Sequence, residues 1–370
     1  LGKNPYAPTP VSKPSKPLSL SDIVKNYESY RKDVRKYKAQ KRIQKMQEKA
    51  RREKERRSDV TNPFYQLLFS NEISKRVAVD KDGVVVYQPS IGNSVIHIFN
   101  SLVSFLTAYI LVWFLYQLVV LITASFYEID SILFYYKLDF NDHSKLWDIL
   151  NIIIITISGP INSLIMGFVF YNYLFIKAKS YPRLQLFYLW SGLLFFGHFF
   201  AAFIAGVITN KGFGFVPLWL YWSDFTKFFF ALISLVVLGL IGYYSASRFL
   251  STTNNSFRIQ RSNRALFYFT QALLPFLLGF LIISLLKIPN NFAYDSLILT
   301  FSVIMVVAVF FNINAPALPQ LQNRKYGNTL NWVLVLLTGL ILYSYRFYLE
   351  EGLHFVIRLS VHITRAGGEM

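Results

Sequence analysis

Hydrophobic positions form long, nearly unbroken runs from about residue 95 onward, while before them they form only a thin periodic seam. The runs lie at about 95–126, 148–176, 184–208, 226–248, 265–286, 295–313 and 330–348. A bilayer core of ~30 Å needs roughly 20 helical residues, so each run predicts a transmembrane helix. The first is longer than required, which predicts tilt or an interfacial extension. Residues 93–348 are thus expected to form a seven-helix bundle.

The N-terminal pattern is different. Residues 1–20 are rich in Pro and Lys and predict extended chain without the apolar stretch of a secretory signal peptide. From Asp22 to Ser58 there is neither Pro nor Gly. Within that stretch Ile23, Tyr27, Tyr30, Val34 and Tyr37 recur at alternating steps of four and three, as in a coiled-coil or docking stripe. Residues 21–58 therefore predict one long basic helix, roughly 55 Å if fully wound. In the linker 59–92, two Val-rich segments flank Asp80-Lys81-Asp82-Gly83, a hairpin signal in which Gly83 can take positive φ. Residues 349–370 form a tail whose alternating Phe355, Ile357, Leu359 and Val361 fit a short helix or a strand. The fold class is an all-α membrane protein with about seven transmembrane helices, a long basic N-terminal helix and a small β-hairpin before the first span.

Composition sharpens this picture. Of 370 residues 54% are hydrophobic and only 16% are charged, well under the quarter usual for a soluble chain. The net charge of +18 is concentrated in the N-terminal arm. There is no cysteine, which removes disulfides, thiolate metal sites and cysteine nucleophiles together.

Charge also alternates between loops. The arm is basic. The loop from Glu128 to Lys145 is acidic, and the next carries Lys177, Lys179 and Arg183. Lys211 and Asp224 then balance, and Arg248, Arg258, Arg261 and Arg264 follow. Lys287 and Asp295 balance in turn, and Arg324 and Lys325 come last. Positive loops on alternate sides predict an N-in, C-out protein. The expected location is a bacterial or mitochondrial inner membrane, with the N-terminus on the cytoplasmic or matrix side. Aromatic Trp219, Tyr221 and Trp222 are expected in an outer interfacial belt, and Ile129–Phe140 along the outer surface.

Candidate chemistry is sparse. Asp224, Lys227, Lys287, Asp295 and Arg346 fall near span ends, where side chains can snorkel to water. Pumps and ion-coupled carriers place charge at membrane depth, so this placement argues against them. No two histidines have the His-Glu-x-x-His spacing, and no Gly-rich phosphate loop is present, so no cofactor is expected. Uncharged candidates for a polar intramembrane site are Ser158, Asn162, His198 and Gln271. Gly159, Ser163 and Gly167, and likewise Gly197, Ala201 and Ala205, are spaced by four and predict flat faces where the second and third spans meet. Pro160 frees a carbonyl that Ser158 or Asn162 is expected to satisfy.

The combination predicts a non-catalytic multi-pass subunit or assembly factor of a larger membrane complex. The bilayer and other protein subunits are its expected partners. Ile23, Tyr27, Tyr30, Val34 and Tyr37 would dock a protein, while the Lys/Arg-rich half of the arm meets anionic lipid or an acidic protein surface. Nucleic acid is less favoured, because the basic run lacks interleaved aromatics. The alternative is a transporter of a small or lipidic solute with an uncharged mid-membrane site.

Overall fold

The computed structural model describes residues 77–79, 85–87, 91–141, 143–253, 264–290, 292–312 and 330–354. The extended segment 1–20, the long helix 21–58 with its docking seam, and the tail beyond His354 lie outside these residues. The chain divides into two compact units, Leu1–Gly92 and Asn93–Met370. In the first, β1 (Val77–Val79) pairs antiparallel with β2 (Val85–Tyr87), with Ala78 opposite Val86.

The second unit is a helical membrane bundle. Six helical stretches are long and apolar enough to cross a bilayer: Ser94–Phe126, Ile149–Lys177, Arg183–Thr209, Asp224–Ser251, Arg264–Leu286 and Ala293–Asn312. They contain, in order, α1 (Ile91–Phe126), α2 (Ile149–Phe168), α3 (Pro182–Thr209), α5 (Asp224–Ser251), α6 (Arg264–Tyr268) with α7 (Leu274–Leu286), and α8 (Ala293–Ala308). The short α4 (Phe215–Trp219) lies between α3 and α5. A final apolar helix, α9 (Trp332–Tyr348), has 17 residues and falls below the length of the other six. At 1.5 Å per residue it covers about 26 Å, short of a ~30 Å core. Among the described residues, six helical stretches thus meet the length of a span and α9 falls short of it.

Local chemistry explains the helix ends. Asp148 caps α2 by accepting from the Leu150 amide, and Ser223 caps α5 by accepting from Thr226. Pro182 occupies the first turn of α3, where its missing N–H is not needed, and Asn210 ends that helix at φ 53°. Two wide π-helical turns interrupt the spans, at Val169–Leu174 after α2 and at Phe269–Leu273 between α6 and α7.

The core sits on α1 and α3. In their most apolar windows 67% and 72% of residues are buried, against 28% for the second span and 17% for α5. A polar-free interior is not required for this. Aromatic rings fill it, with Phe105 edge-on to both Trp190 and Phe276. The outer faces of α5 and α9 expose Phe225, Phe228, Val236, Val333, Leu336 and Leu340, the surface a bilayer would cover.

The segment expected along the outer surface is built into the protein. β3 (Ser131–Leu133) pairs with β4 (Leu138–Phe140) on one side and β5 (Leu353–His354) on the other, all antiparallel. Ile129, Leu133 and Tyr135 are buried beneath it. β5 lies early in the tail, and Phe355, Ile357, Leu359 and Val361 lie outside the described residues.

Candidate functional site

The strongest concentration of chemistry lies where the turn between α7 and α8 meets α1. Lys287 and Asp295 form an ion pair at 2.6 Å with side chains only 2% and 9% exposed. The same carboxylate oxygen accepts from Trp113 Nε1 at 3.3 Å. The ammonium lies 5.8 Å from the ring centres of both Tyr109 and Trp113. Tyr345 of α9 stands edge-on to Trp113, and its hydroxyl donates to the Tyr135 carbonyl. These two charges do not snorkel to water as their position near the span ends predicts. The sheet segment and α9 close over them, so each charge has only the other and the surrounding rings to replace its hydration. A pair so buried is costly to break, since removing one partner strands the other.

One turn of α1 further on, Tyr116 lies close to Tyr294, whose hydroxyl accepts from the Phe213 amide at 3.1 Å. Gly212, at φ 54°, packs directly on the Tyr294 ring, and a Cβ there would stand 2.5 Å from Cζ. Glycine is required at that position both for its left-handed backbone and for this close approach.

His198 lies beside these rings, 6.3 Å from Tyr109 and 5.6 Å from Tyr116. Its Nδ1 is 3.0 Å from the Leu194 carbonyl one turn back on its own helix. A carbonyl can only accept, so this bond places the proton on Nδ1.

Gln271 belongs to a different layer. It is part of the second π-helical turn, four residues before Pro275. Proline has no N–H and cannot bond the carbonyl four residues back. That freed Gln271 carbonyl accepts from Ser101 Oγ of α1 at 2.6 Å, and Ser101 in turn accepts from Trp190 Nε1 of α3 at 3.0 Å. Three spans are tied by two bonds. The Gln271 side-chain Oε1 is buried without a hydrogen-bond partner. Ser101 and Tyr109 are eight residues apart on α1, as are Trp190 and His198 on α3. At 1.5 Å per residue the Gln271 and His198 layers are separated by about 12 Å.

Ser158 donates to the Ile155 carbonyl at 2.8 Å, not to the Thr156 carbonyl that Pro160 frees. Asn162 is half-buried. The four uncharged candidates therefore do not gather at one point: His198 and Gln271 occupy separate layers.

The small residues meet partners that spacing alone does not name. Gly159 faces α1, where a Cβ would stand 2.7 Å from Val120 and 2.9 Å from Tyr116. Gly167 does face the third span, against the Phe196 ring. Gly197 faces α8, with Ser302 Oγ 2.5 Å from an added Cβ. Ser163, Ala201 and Ala205 are fully buried. The second and third spans thus meet partly through larger groups, including Tyr171 backbone seated against Gly192.

Sequence inspection missed Trp113, Ser101 and Trp190 as polar partners, because a tryptophan or serine in an apolar run carries no sign of what it will face. Among the described residues no group of three His, Asp or Glu could hold a metal ion. No protein-family model, no curated protein and no solved structure matches the chain.

Proposed function

We propose that the chain is a non-catalytic multi-pass subunit or assembly factor of a larger membrane complex, anchored by seven spans and docking its partners through the basic N-terminal arm. The observation that carries this reading is that several buried polar groups join one helix to another. Ser101, Trp190, Thr107, Thr338, Lys287 and Asp295 all bond across elements. Such bonds hold a scaffold in one arrangement. The competing reading, a transporter of a small or lipidic solute, needs Ser158, Asn162, His198 and Gln271 to share a site, and the ~12 Å between two of their layers favours the scaffold.

The same proposal places the N-terminus on the cytoplasmic or matrix side of a bacterial or mitochondrial inner membrane and counts α9 as the seventh span. The contacts of α9 support its crossing. The Asn331 amide donates to Asn100, Thr338 bonds Thr107 at 2.6 Å, and Tyr345 meets Trp113 and Tyr135. It therefore runs antiparallel beside α1, from near its start to the loop beyond its end.

The test is mild-detergent purification followed by native electrophoresis and identification of co-purifying chains. A defined partner that survives moderate salt and is lost when Tyr30, Val34 and Tyr37 are changed to Ala is expected. At 1 M salt the Debye length falls to about 3 Å, so a purely ionic contact would be stripped. A lone species of monomer mass would overturn the proposal.

A further inference from the structure

The most asymmetric feature of the bundle is its charge. At the end where α3 begins and α5 finishes lie Lys177, Lys179, Arg183, Arg248 and Arg264. Among the described residues from Asn93 onward, every Asp and Glu lies at the opposite end. At the basic end one guanidinium is held in an unusually defined way. Arg248, in the last turn of α5, has its Cζ 3.7 Å from the centre of the Tyr171 ring and 5.2 Å from that of Phe175. It donates to the Tyr171 carbonyl and, at 2.8 Å, to Asn172 Oδ1. Both acceptors belong to the π-helical turn Val169–Leu174, whose wide winding leaves carbonyls available.

These bonds use two of the five N–H donors of the guanidinium, so three remain. Accepting through Oδ1 directs the other half of the Asn172 amide, its Nδ2 donor, away from Arg248, and Asn172 is exposed. Five residues on, Lys177 is exposed, with its ammonium 4.5 Å from the centre of the Tyr173 ring. The rim is apolar: Phe168, Tyr173 and Ile176 are each more than half exposed. A set of oriented donors with net positive charge, no carboxylate beside them among the described residues, and an apolar rim at a span end matches a phosphate carried on acyl chains. A structural role for Arg248 alone would account for the two carbonyl-side bonds but not for the outward amide of Asn172 beside a second cation.

We propose that Arg248 and Asn172, with Lys177 beside them, form a headgroup site for an anionic phospholipid at the basic end of the bundle. The occupant is a bilayer lipid rather than a free anion, because the rim that surrounds the donors is acyl-chain surface. Fixed guanidinium geometry suits phosphate better than a mobile ammonium would. The proposal is independent of the scaffold role, since it concerns lipid and not protein partners.

The test uses the full chain in detergent, titrated with phosphatidylglycerol or phosphatidylcholine and read by native mass spectrometry. Wild-type protein should retain phosphatidylglycerol in preference. Arg248→Gln should weaken that retention about tenfold, the loss of one charge-assisted hydrogen bond. Lys177→Ala should weaken it about fivefold. Because Arg248→Gln also loosens the π-helical turn, Lys177→Ala serves as the second variant, since it leaves both bonds of Arg248 and its place on the Tyr171 ring intact. Its thermal unfolding should match wild type while its phosphatidylglycerol binding falls by that factor. Equal retention of both lipids, or undiminished phosphatidylglycerol binding in the Lys177→Ala variant, would overturn the proposal. Displacement of the lipid by millimolar inorganic phosphate would overturn its assignment to a bilayer lipid.

Discussion

At the scale of single residues, one proline explains a link between three spans. Pro275 cannot bond the Gln271 carbonyl, and Ser101 takes it, with Trp190 donating behind. Freed backbone groups inside a membrane must find such partners, because lipid offers none. The consequence is a coupling that mutation can measure. Ser101→Ala should destabilise the bundle by about 1–2 kcal/mol, since it leaves a buried carbonyl and an indole N–H unpaired. In a Pro275→Ala background the carbonyl regains its own helical N–H, and Ser101→Ala should then have a smaller effect. Denaturation in mixed micelles followed by tryptophan fluorescence gives the two values, and their difference is the coupling. Equal effects in both backgrounds would mean that the hydroxyl does not serve the carbonyl.

At the scale of elements, the turn from α7 to α8 is closed by Lys287 and Asp295, and the helices are brought together by small residues. Asp295→Ala should cost about 3–5 kcal/mol, because it leaves the ammonium buried and alone. The combined change of Lys287 to Met and Asp295 to Leu should recover most of that loss, as replacing a whole buried pair by apolar groups is often nearly neutral. Thermal unfolding in detergent decides between them. A double variant no better than Asp295→Ala would indicate that the pair contributes more than charge balance. The glycines give a second check. Gly159→Leu drives a side chain into Tyr116 and Val120, so it should separate α2 from α1, whereas Gly239→Leu, with nothing within 4 Å of its added Cβ, should be silent. Melting temperatures of the two variants should differ by several degrees, and equal values would contradict the close approach at Gly159.

At the scale of the whole bundle, the Asp and Glu residues among the described residues from Asn93 onward gather at one end. The absence of cysteine makes sidedness directly measurable. Single cysteines placed as Lys179→Cys and His143→Cys should label from opposite sides with a membrane-impermeant maleimide. Glu351→Cys should label from the same side as His143, because β5 pairs with β3. Labelling of all three from one side would refute the crossing pattern.

How the bundle divides between sequence and structure follows from the physics of lipid. Lengths of the apolar runs and the sign of each loop are local properties of the chain, which is why the six spans between 94 and 312 are legible as written. Partner choice is not local. A lipid tail is as apolar as leucine, so hydrophobicity does not say which face of a helix meets a neighbour. The four-residue spacing of Gly159, Ser163 and Gly167 announces a close contact, but only the assembled bundle assigns Gly159 to α1 and Gly167 to α3. In the same way Lys287 and Asp295 read as charges at span ends. Only the closure of α9 and the β3–β4–β5 sheet around them decides that they are buried and paired, because burial depends on what packs over a group and not on its distance from the end of a run.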